Sequence, residues 1–366
     1  MVGGGRGSFI GPIHRMAAKM DDSAILVAGC FSRDKKENLK TAEETGLKSD
    51  RLYSSWQSLI EKEKGNIDFI TVCTPNDSHY EITKAALESG IHVLCEKPLS
   101  LTRKEAEKIE KLAAKKNLLV AVPFTYTGFP MVKLARELVS GGELGKICKV
   151  NIEYVQGSFR KINFKKPLDK RNAWKMDPSK SGPSCVVADI GVHGACLIEY
   201  ITGLEIKSVL SDISSFAPGN TLDDDASILM RLDEGAKAAM VTSKVATGEE
   251  NGVRVRVYGD KASLFWNQEL PNQLSVKYPD EPERIYKRNT PYIGAVSPMA
   301  AAASRIPSGH DEGFIEAFAN IYRGFCAAVA GENKLDFPTA YEGVRTMRFV
   351  EAVLKSAGSG SRWMQV

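Results

Sequence analysis

Short apolar runs alternate with longer amphipathic stretches over roughly the first third of the chain. The apolar runs are rich in β-branched residues and have the length of strands, whereas the stretches between them repeat apolar residues at helical spacing. This alternation predicts a doubly wound parallel sheet, a fold that binds ligands beyond the carboxyl ends of its strands. We predict strands at 24–31, 68–73, 92–95 and 118–122, and helices at 35–46, 79–90 and 101–116.

The rest of the chain has a different pattern, in which one helix is followed by several short alternating strands. Such strands form an antiparallel sheet, so we divide the chain into domains 1–123 and 124–366. Two long stretches, 160–180 and 295–309, lack clear periodicity and are predicted to be binding loops or lids. The predicted helix is 130–140, and the predicted strands are 148–156, 208–214, 226–231, 236–244 and 254–258.

Composition agrees with a two-domain globular protein. The chain has 366 residues and a mass of 40.0 kDa, which is long for a single core. Its 43% hydrophobic and 26% charged residues exclude the disordered and fibrous classes. The net charge of +4 includes no basic block that would grip a duplex, so we expect no nucleic acid partner.

The sequence shows no targeting, membrane or metal signal. The amino terminus lacks an apolar stretch of signal-peptide length, and no run approaches the roughly 18–20 apolar residues of a membrane span. The seven cysteines include no C-x-x-C pair, and the five histidines form no Cys/His cluster. We therefore expect a cytoplasmic protein with reduced thiols, no membrane association and no metal site.

A glycine-rich segment, 3–11, precedes a stretch of helical character at 12–17. Glycines let a backbone approach a pyrophosphate, whose charge is then met by the amides at a helix start. The spacing departs from G-x-G-x-x-G, and only Met1 and Val2 precede the glycines, where a first strand normally needs about 4–6 residues. An ordinary turn is the alternative, but the repeated strand-helix units favour dinucleotide binding.

The choice between NAD and NADP should lie at the end of the second predicted strand, beside the adenosine ribose. Ser32 and Arg33 would accept a 2′-phosphate and favour NADP, whereas Asp34 would accept hydrogen bonds from a 2′-hydroxyl and serve NAD. A solvated turn is the third interpretation of these residues, and the choice stays open.

Two further loops at strand ends contain polar residues, 73–79 and 95–100. Lys97 ends an apolar strand and is followed by Pro98, so its ammonium is expected to be held and partly desolvated. Such a lysine suits proton transfer or the polarisation of an alcohol. The alternative is an exposed lysine flanking a helix.

Asp189 and His193 are separated by four residues in a segment of helical character, and this spacing places them on one face of a helix. A carboxylate and an imidazole so placed form an oriented pair, in which His193 accepts the proton of a substrate hydroxyl while Lys97 and Asp189 assist. The alternative is a partly buried histidine with a purely structural role.

In combination, these motifs resemble the family of glucose-fructose oxidoreductase, inositol dehydrogenase and rhizopine catabolism proteins, known as Gfo/Idh/MocA. The likeness spans nearly the whole chain. It rests on the glycine turn ending near His14, Thr74-Pro75-Asn76, Glu96-Lys97-Pro98, Gly145-Lys146-Ile147 and Asp189-x-x-x-His193.

The resemblance implies a Rossmann domain followed by an α+β domain with a large open, mostly antiparallel sheet. It also implies that NAD or NADP binds with its nicotinamide between the domains, that Lys97 and His193 are catalytic, and that Asp189 contacts substrate or orients them. Family members usually form homo-oligomers through the open sheet. The cofactor contacts we predict are Gly3, Gly5, Gly7, Ser8, Phe9, Ile10, Ser32, Arg33, Thr74, Pro75, Asn76, His79, Glu96 and Lys97.

The function we predict is hydride transfer between the nicotinamide and a secondary alcohol of a sugar, cyclitol or glycoside, with the C3 hydroxyl of a glucosyl group as one candidate. Two alternatives are a redox-neutral glycoside cleavage that recycles its cofactor and a non-catalytic nicotinamide or sugar sensor. The predicted substrate contacts are Tyr126, Tyr154, Trp174 and His310.

Overall fold

The structure is a computed structural model, and it describes residues 1–160, 162–166, 168, 173–332 and 336–366. The chain divides into two compact units. The first contains Met1–Phe124, Asp169–Gly182 and Phe318–Met347, and the second contains Thr125–Leu168, Pro183–Ala317 and Arg348–Val366. Asp169–Gly182 and Phe318–Met347 thus belong to the first unit. The domain division predicted from the sequence, between residues 123 and 124, places both segments in the second domain.

The first unit contains a four-stranded parallel sheet in the order β1-β2-β3-β4. Its central strands are mostly apolar and are buried almost throughout, as expected where helices cover both faces. Val72 pairs with Cys95, so the loops that follow β2 and β3 leave the same edge of the sheet. The strands are β1 Val2–Gly3, β2 Phe69–Cys73, β3 His92–Cys95 and β4 Val120–Ala121.

The predicted strand at 24–31 is wrong. In this segment, the structure describes only isolated bridges, from Gly29 to Leu52 and from Cys30 to Val2. Ile25 is 81% exposed. Apolar composition suggested a whole strand, but the described bridges are limited to Gly29 and Cys30, with a further hydrogen bond from the Met1 amino group to the Ala28 carbonyl oxygen.

The predicted helices of the first unit are confirmed within a few residues, and the helix at Trp56–Glu63 is additional. Asp34 accepts hydrogen bonds from the amides of Lys36 and Glu37 and so caps one of them. Thr102 and Glu105 form a reciprocal capping box at the start of another. The helices are α1 Ile10–Lys19, α2 Lys35–Thr45, α3 Trp56–Glu63, α4 His79–Glu88 and α5 Arg103–Lys116.

The second unit contains a large sheet, in which the described residues form nine strands in the order β12-β11-β10-β9-β5-β8-β7-β6-β13. The pairing is antiparallel except between β5 and β8. The five predicted strands are confirmed, and β10 to β13 are additional. The strands are β5 Ile147–Val155, β6 Ile206–Ser214, β7 Asp225–Leu232, β8 Lys237–Ser243, β9 Gly252–Gly259, β10 Ser263–Asn267, β11 Gln273–Tyr278, β12 Glu281–Lys287 and β13 Met364–Gln365.

Buried and exposed residues alternate along strands such as β7, so one face of the sheet there is buried and the other carries exposed side chains, including the apolar Leu229. Gly194 belongs to the helix that follows Gly191, and it packs against the buried face of the sheet. A Cβ added to Gly194 would lie 2.7 Å from the Met240 side chain, so the helix contacts the sheet closely at this point. Further helices are α6 Pro130–Ser140, α7 Pro178–Ser181, α8 Val192–Thr202, α9 Ile293–Val296, α10 Pro298–Ala302, α11 Phe314–Val329 and α12 Ala340–Gly358. Of these, α7 and most of α11 belong to the first unit, and α12 is divided between the two units.

The stretch 295–309 is not the continuous irregular loop that was predicted, because α10 lies within it. A buried ion pair between Arg288 and Glu312 holds its far end, with 2.9 Å between Nη1 and Oε1. Glu312 also accepts hydrogen bonds from the amides of Arg305 and Ile306. The stretch 160–180 contains α7 and a 3₁₀ turn at Trp174–Met176, while part of this prediction lies outside the described residues. None of the helices in the described ranges has the length and apolar character needed to cross a bilayer.

Candidate active site

The loop between β1 and α1 depends on glycine at several positions. Gly3, Gly4 and Gly7 have φ values of 75°, 71° and 76°, a region that favours glycine. A Cβ on Gly11 would lie 2.0 Å from the Gly4 carbonyl oxygen, so the first turn of α1 touches the loop backbone to backbone. This contact is the third-glycine role in a dinucleotide fingerprint.

The same loop leaves room for a phosphate. A Cβ on Gly7 would meet no atom within 4 Å, so a ligand can approach the backbone there. The hydroxyl of Ser8 accepts a hydrogen bond from the Gly11 amide. Phe9 and Ile10 begin the helix, and Phe9 is 61% exposed. These residues fit a dinucleotide pyrophosphate, whose charge the amides at the helix start would meet. Gly4 and Gly11 lie within the predicted glycine-rich segment 3–11 but were not among the individual contacts predicted, although the spacing of Gly11 ahead of the helix was a usable signal.

The residues predicted to choose the cofactor have separate roles. Asp34 caps α2, with its Oδ1 2.8 Å from the Lys36 nitrogen. The Ser32 hydroxyl accepts a hydrogen bond from the Asp34 amide, and Arg33 is exposed. The Asp34 carboxylate is therefore engaged with the helix backbone, and the preference between NAD and NADP stays a prediction.

The loops after β2 and β3 are tied together by His79. Its Nδ1 lies 2.8 Å from the Pro98 carbonyl oxygen and its Nε2 lies 2.9 Å from that of Thr74. Carbonyl oxygens only accept hydrogen bonds, so both ring nitrogens donate and His79 is an imidazolium. Asn76 also ties its loop, by donating to the Ser181 carbonyl oxygen.

The charge on His79 gives a testable pH dependence. Burial alone would lower its pKa, but the Cys95 sulfur and the two carbonyl oxygens outweigh burial and raise the pKa to about 9. A folded pKa above the ordinary 6.5 stabilises the fold fully below pH 6.5, and this contribution is lost as pH rises through about 9. At 1.36 kcal/mol per pH unit, the loss is about 3 kcal/mol.

We expect His79→Gln to remove this component of the pH dependence, because glutamine does not titrate. Urea unfolding of both proteins at about pH 6 and about pH 10 measures it. The difference in unfolding free energy between the two proteins should shrink at the higher pH. An equal difference at both values would contradict the charged state.

Glu96 holds the backbone of Lys97 and is itself held by His14. One carboxylate oxygen accepts from His14 Nε2 at 2.9 Å, and the other accepts from the Lys97 amide at 3.1 Å. The other ring nitrogen of His14 lies 2.8 Å from the Tyr322 hydroxyl. The half-buried Lys97 thus leaves β3 from a fixed backbone. Sequence reasoning missed the supporting roles of His14 and Tyr322.

In the second unit, Asp223 organises the segment that contains Asp189. Its carboxylate accepts hydrogen bonds from the Ser184 hydroxyl and from the amides of Cys185 and Val187. The chain then forms a π-helical segment, Val187–Gly191, which leads into α8. The predicted helical conformation is confirmed, with a wider first turn. Such turns are frequent at functional sites.

His193 is buried in the first turn of α8 and packs against two tyrosines. Its ring centroid lies 5.0 Å from that of Tyr126 and 6.0 Å from that of Tyr154. The tyrosine hydroxyls are 2.7 Å apart, and both contact Asn251. Burial, with a contribution from Asp189, raises the pKa of both tyrosines. The structure therefore groups these predicted residues in one cluster and adds Asn251, which sequence reasoning missed.

Asp189 forms an ion pair with Lys244, with 2.6 Å between Oδ2 and Nζ. The Lys244 side chain is only 3% exposed. Burial alone would lower the pKa of Lys244, but Asp189 and the Cys185 sulfur outweigh burial and raise it. Lys244 was not predicted as a site residue, although a lysine closing an apolar strand is the same signal that identified Lys97.

The two remaining predicted substrate contacts belong to different units. Trp174 is half-buried in the 3₁₀ turn of the first unit. His310 is exposed in the second unit, beside a small cavity that Asn272 and Arg288 also line. Within the described ranges, no three His, Cys, Asp or Glu residues lie close enough together to hold a metal ion.

Comparison with known proteins identifies the family. Residues 1–124 match the model of an oxidoreductase family with an NAD-binding Rossmann fold, and residues 132–265 match the GFO/IDH/MocA C-terminal domain. The chain belongs to the Gfo/Idh/MocA family. The family, the fold class and the cofactor class predicted from the sequence are thereby confirmed. This Gfo/Idh/MocA protein is an NAD(P)-dependent oxidoreductase.

Relatives cover the whole chain. An uncharacterized oxidoreductase of Bacillus subtilis, YfiI, is 35% identical over 379 aligned residues, spanning 100% of this chain and 95% of the relative. An inositol dehydrogenase homologue from Azotobacter vinelandii, crystallised with NAD⁺, is 36% identical with a TM-score of 0.94, covering 100% of this chain and 96% of that one. Levoglucosan dehydrogenase of Pseudarthrobacter phenanthrenivorans is 26% identical over 86% of this chain and 83% of the relative.

Proposed function

We propose that this protein transfers a hydride between NAD(P) and a secondary alcohol of a sugar, cyclitol or glycoside. The observation that carries the proposal is the buried cluster of the second unit, in which Asp189 is paired with Lys244 and His193 packs against Tyr126 and Tyr154. A dehydrogenase needs a place for the hydroxyl proton, and this cluster supplies an imidazole with polar neighbours. The names of the inositol dehydrogenase homologue and of levoglucosan dehydrogenase support the substrate class.

Each residue has a distinct role in the proposed reaction. Bound NAD(P)⁺ would supply the hydride acceptor. In this proposal a ring nitrogen of His193 accepts the proton of the substrate hydroxyl, and Lys97 assists as a hydrogen-bond donor that polarises an alcohol. Asp189 orients the substrate or these two groups. The hydroxyls of Tyr126 and Tyr154 hydrogen-bond to each other and to the Asn251 side chain. These bonds hold the two rings in place beside His193.

The test of this function is a substrate screen with the purified protein. Polyols, free sugars and glycosides are mixed with NAD⁺ or NADP⁺, and the absorbance of the reduced nicotinamide is recorded. Cofactor reduction that depends on one of these alcohols is the expected result. Cleavage of a glycoside with no added cofactor and no net reduction would instead support the redox-neutral cycle. Binding without either reaction would support a sensor.

We further propose that the substrate is a glycoside or a larger sugar derivative, oxidised at the C3 hydroxyl of a glucosyl group. Trp174 supports this proposal, because its half-buried ring offers an apolar surface on which an aglycone can rest. Each Å² of apolar surface buried in this way contributes about 25 cal/mol.

The expected result is a higher kcat/KM for an aryl glycoside than for the corresponding free sugar. The gain should fall in the Trp174→Ala variant, because the aglycone loses its apolar support, while turnover of the free sugar should change little. Steady-state kinetics with both substrates measures this. Equal or better efficiency with the free sugar would sink the glycoside proposal.

We also propose that the protein forms a symmetric homo-oligomer through its large sheet. The sheet exposes apolar side chains on its outer face, among them Leu229, Val241 and Tyr258. Covering such a face by a second copy removes apolar surface from water. Sedimentation velocity tests this, because a single monomeric species at micromolar concentration would contradict it.

A further inference from the structure

Lys244 carries a positive charge in the interior of the second unit. It follows β8 directly, and its side chain is 3% exposed. A buried ammonium is unfavourable unless a nearby group compensates its charge. The group that compensates it is the carboxylate of Asp189, 2.6 Å from Nζ.

Two other groups fix the position of this ammonium. Cys185 Sγ lies 3.5 Å from Nζ, and the centroid of the Phe159 ring lies 4.9 Å away. The Lys244 amide donates to the Asp224 carbonyl oxygen, which anchors the backbone at the strand end. Because these contacts come from separate segments of the chain, the ammonium holds the Asp189 carboxylate in one place.

The carboxylate lies on the same helical segment as His193, which follows it by four residues. The rings of Tyr126 and Tyr154 pack against His193, and Asp189 contributes to raising the pKa of both tyrosines. Cys185 is a further titratable group in contact with the pair, through its sulfur and Lys244 Nζ. A carboxylate without a cation beside it would favour the protonated form of a nearby imidazole. An imidazole that is already protonated does not accept the substrate proton.

We propose that Lys244 is a positioning residue that holds Asp189 as an ionised carboxylate and, by neutralising it, keeps His193 in the neutral form that accepts the substrate proton. This inference rests on the proposed function of His193 as the base. Lys244 acts through Asp189 and is not itself assigned a contact with substrate.

The test compares Lys244→Met with Lys237→Met, which removes an exposed lysine from the start of β8, the strand that Lys244 follows. We expect Lys244→Met to lower kcat roughly 100-fold through loss of alignment. We also expect the acidic limb of the pH profile of kcat/KM to move to higher pH by about one unit, because the uncompensated Asp189 raises the pKa of His193. The cofactor KM should stay within about twofold, since the glycine loop of the first unit is untouched. Lys237→Met should retain wild-type values.

The double variant Asp189→Asn/Lys244→Met separates this role from a structural one. It removes both charges, so its acidic limb should return towards the wild-type position even though its kcat remains low. It also supplies the pH measurement if Lys244→Met alone does not fold. An unshifted limb in Lys244→Met, or one that stays shifted in the double variant, overturns the inference.

The single variants Asp189→Asn and His193→Gln distinguish this inference from the function on which it rests. Loss of turnover in both, with wild-type kinetics in Lys244→Met, rejects the role of Lys244 and keeps the proposed function. Full turnover in both rejects the site assignment itself.

Discussion

Lys97→Met is expected to lower kcat by roughly 10²–10⁴-fold, the range typical of losing a group that acts on a proton in the transition state. Methionine keeps much of the length and the apolar stem of lysine but removes the ammonium. The lysine backbone is held by Glu96, and Glu96 by His14, so the substitution should leave the loop in place. We expect the affinity for NAD(P)H to be retained, because the glycine loop that fits the pyrophosphate is unchanged.

The measurement combines steady-state kinetics with a fluorescence titration of NADH or NADPH. Lys104→Met is the matched control, because Lys104 is exposed near the start of α5 and should lose no activity. His193→Ala should show a loss of similar size for the same reason. Wild-type turnover in both Lys97→Met and His193→Ala would show that the catalytic assignment is wrong.

Gly11→Ala is expected to abolish measurable cofactor binding and to destabilise the first unit. The new Cβ would lie 2.0 Å from the Gly4 carbonyl oxygen and 2.5 Å from the Gly4 carbonyl carbon, so either the loop or α1 has to move. Overpacking of this kind costs about 1–3 kcal/mol, and occasionally more when the contact is with backbone. Because the displaced atoms belong to the loop that fits the pyrophosphate, binding should suffer more than folding.

Thermal denaturation and a fluorescence titration of the reduced cofactor measure the two effects separately. Gly358→Ala is the control, because an added Cβ at this helical position meets no atom within 4 Å. A Gly11→Ala protein that binds NAD(P)H as tightly as the wild type would contradict the assigned role of this glycine.

Elements whose signal lies in consecutive residues were predictable from the sequence. The strand at His92–Cys95 and the helix at Pro130–Ser140 have the predicted bounds, because apolar runs and helical periodicity are properties of the local chain. The motifs that indicated the family are also short and contiguous. The failed strand at 24–31 shows the limit of this reasoning, since apolar content does not reveal where a partner backbone ends.

The environment of each candidate site residue depended on contacts between distant parts of the chain. Lys244 and Asp189 are 55 residues apart, and Tyr322 reaches His14 across 308 residues. No local pattern encodes such pairs, because they form only when strands and helices pack together. The sequence was therefore sufficient to indicate a Rossmann domain and a nicotinamide cofactor, whereas the catalytic roles of Lys97, Asp189 and His193 stay predictions. The packed fold was needed to show that Asp189 is paired with a buried lysine, because burial and charge pairing are properties of neighbours in space.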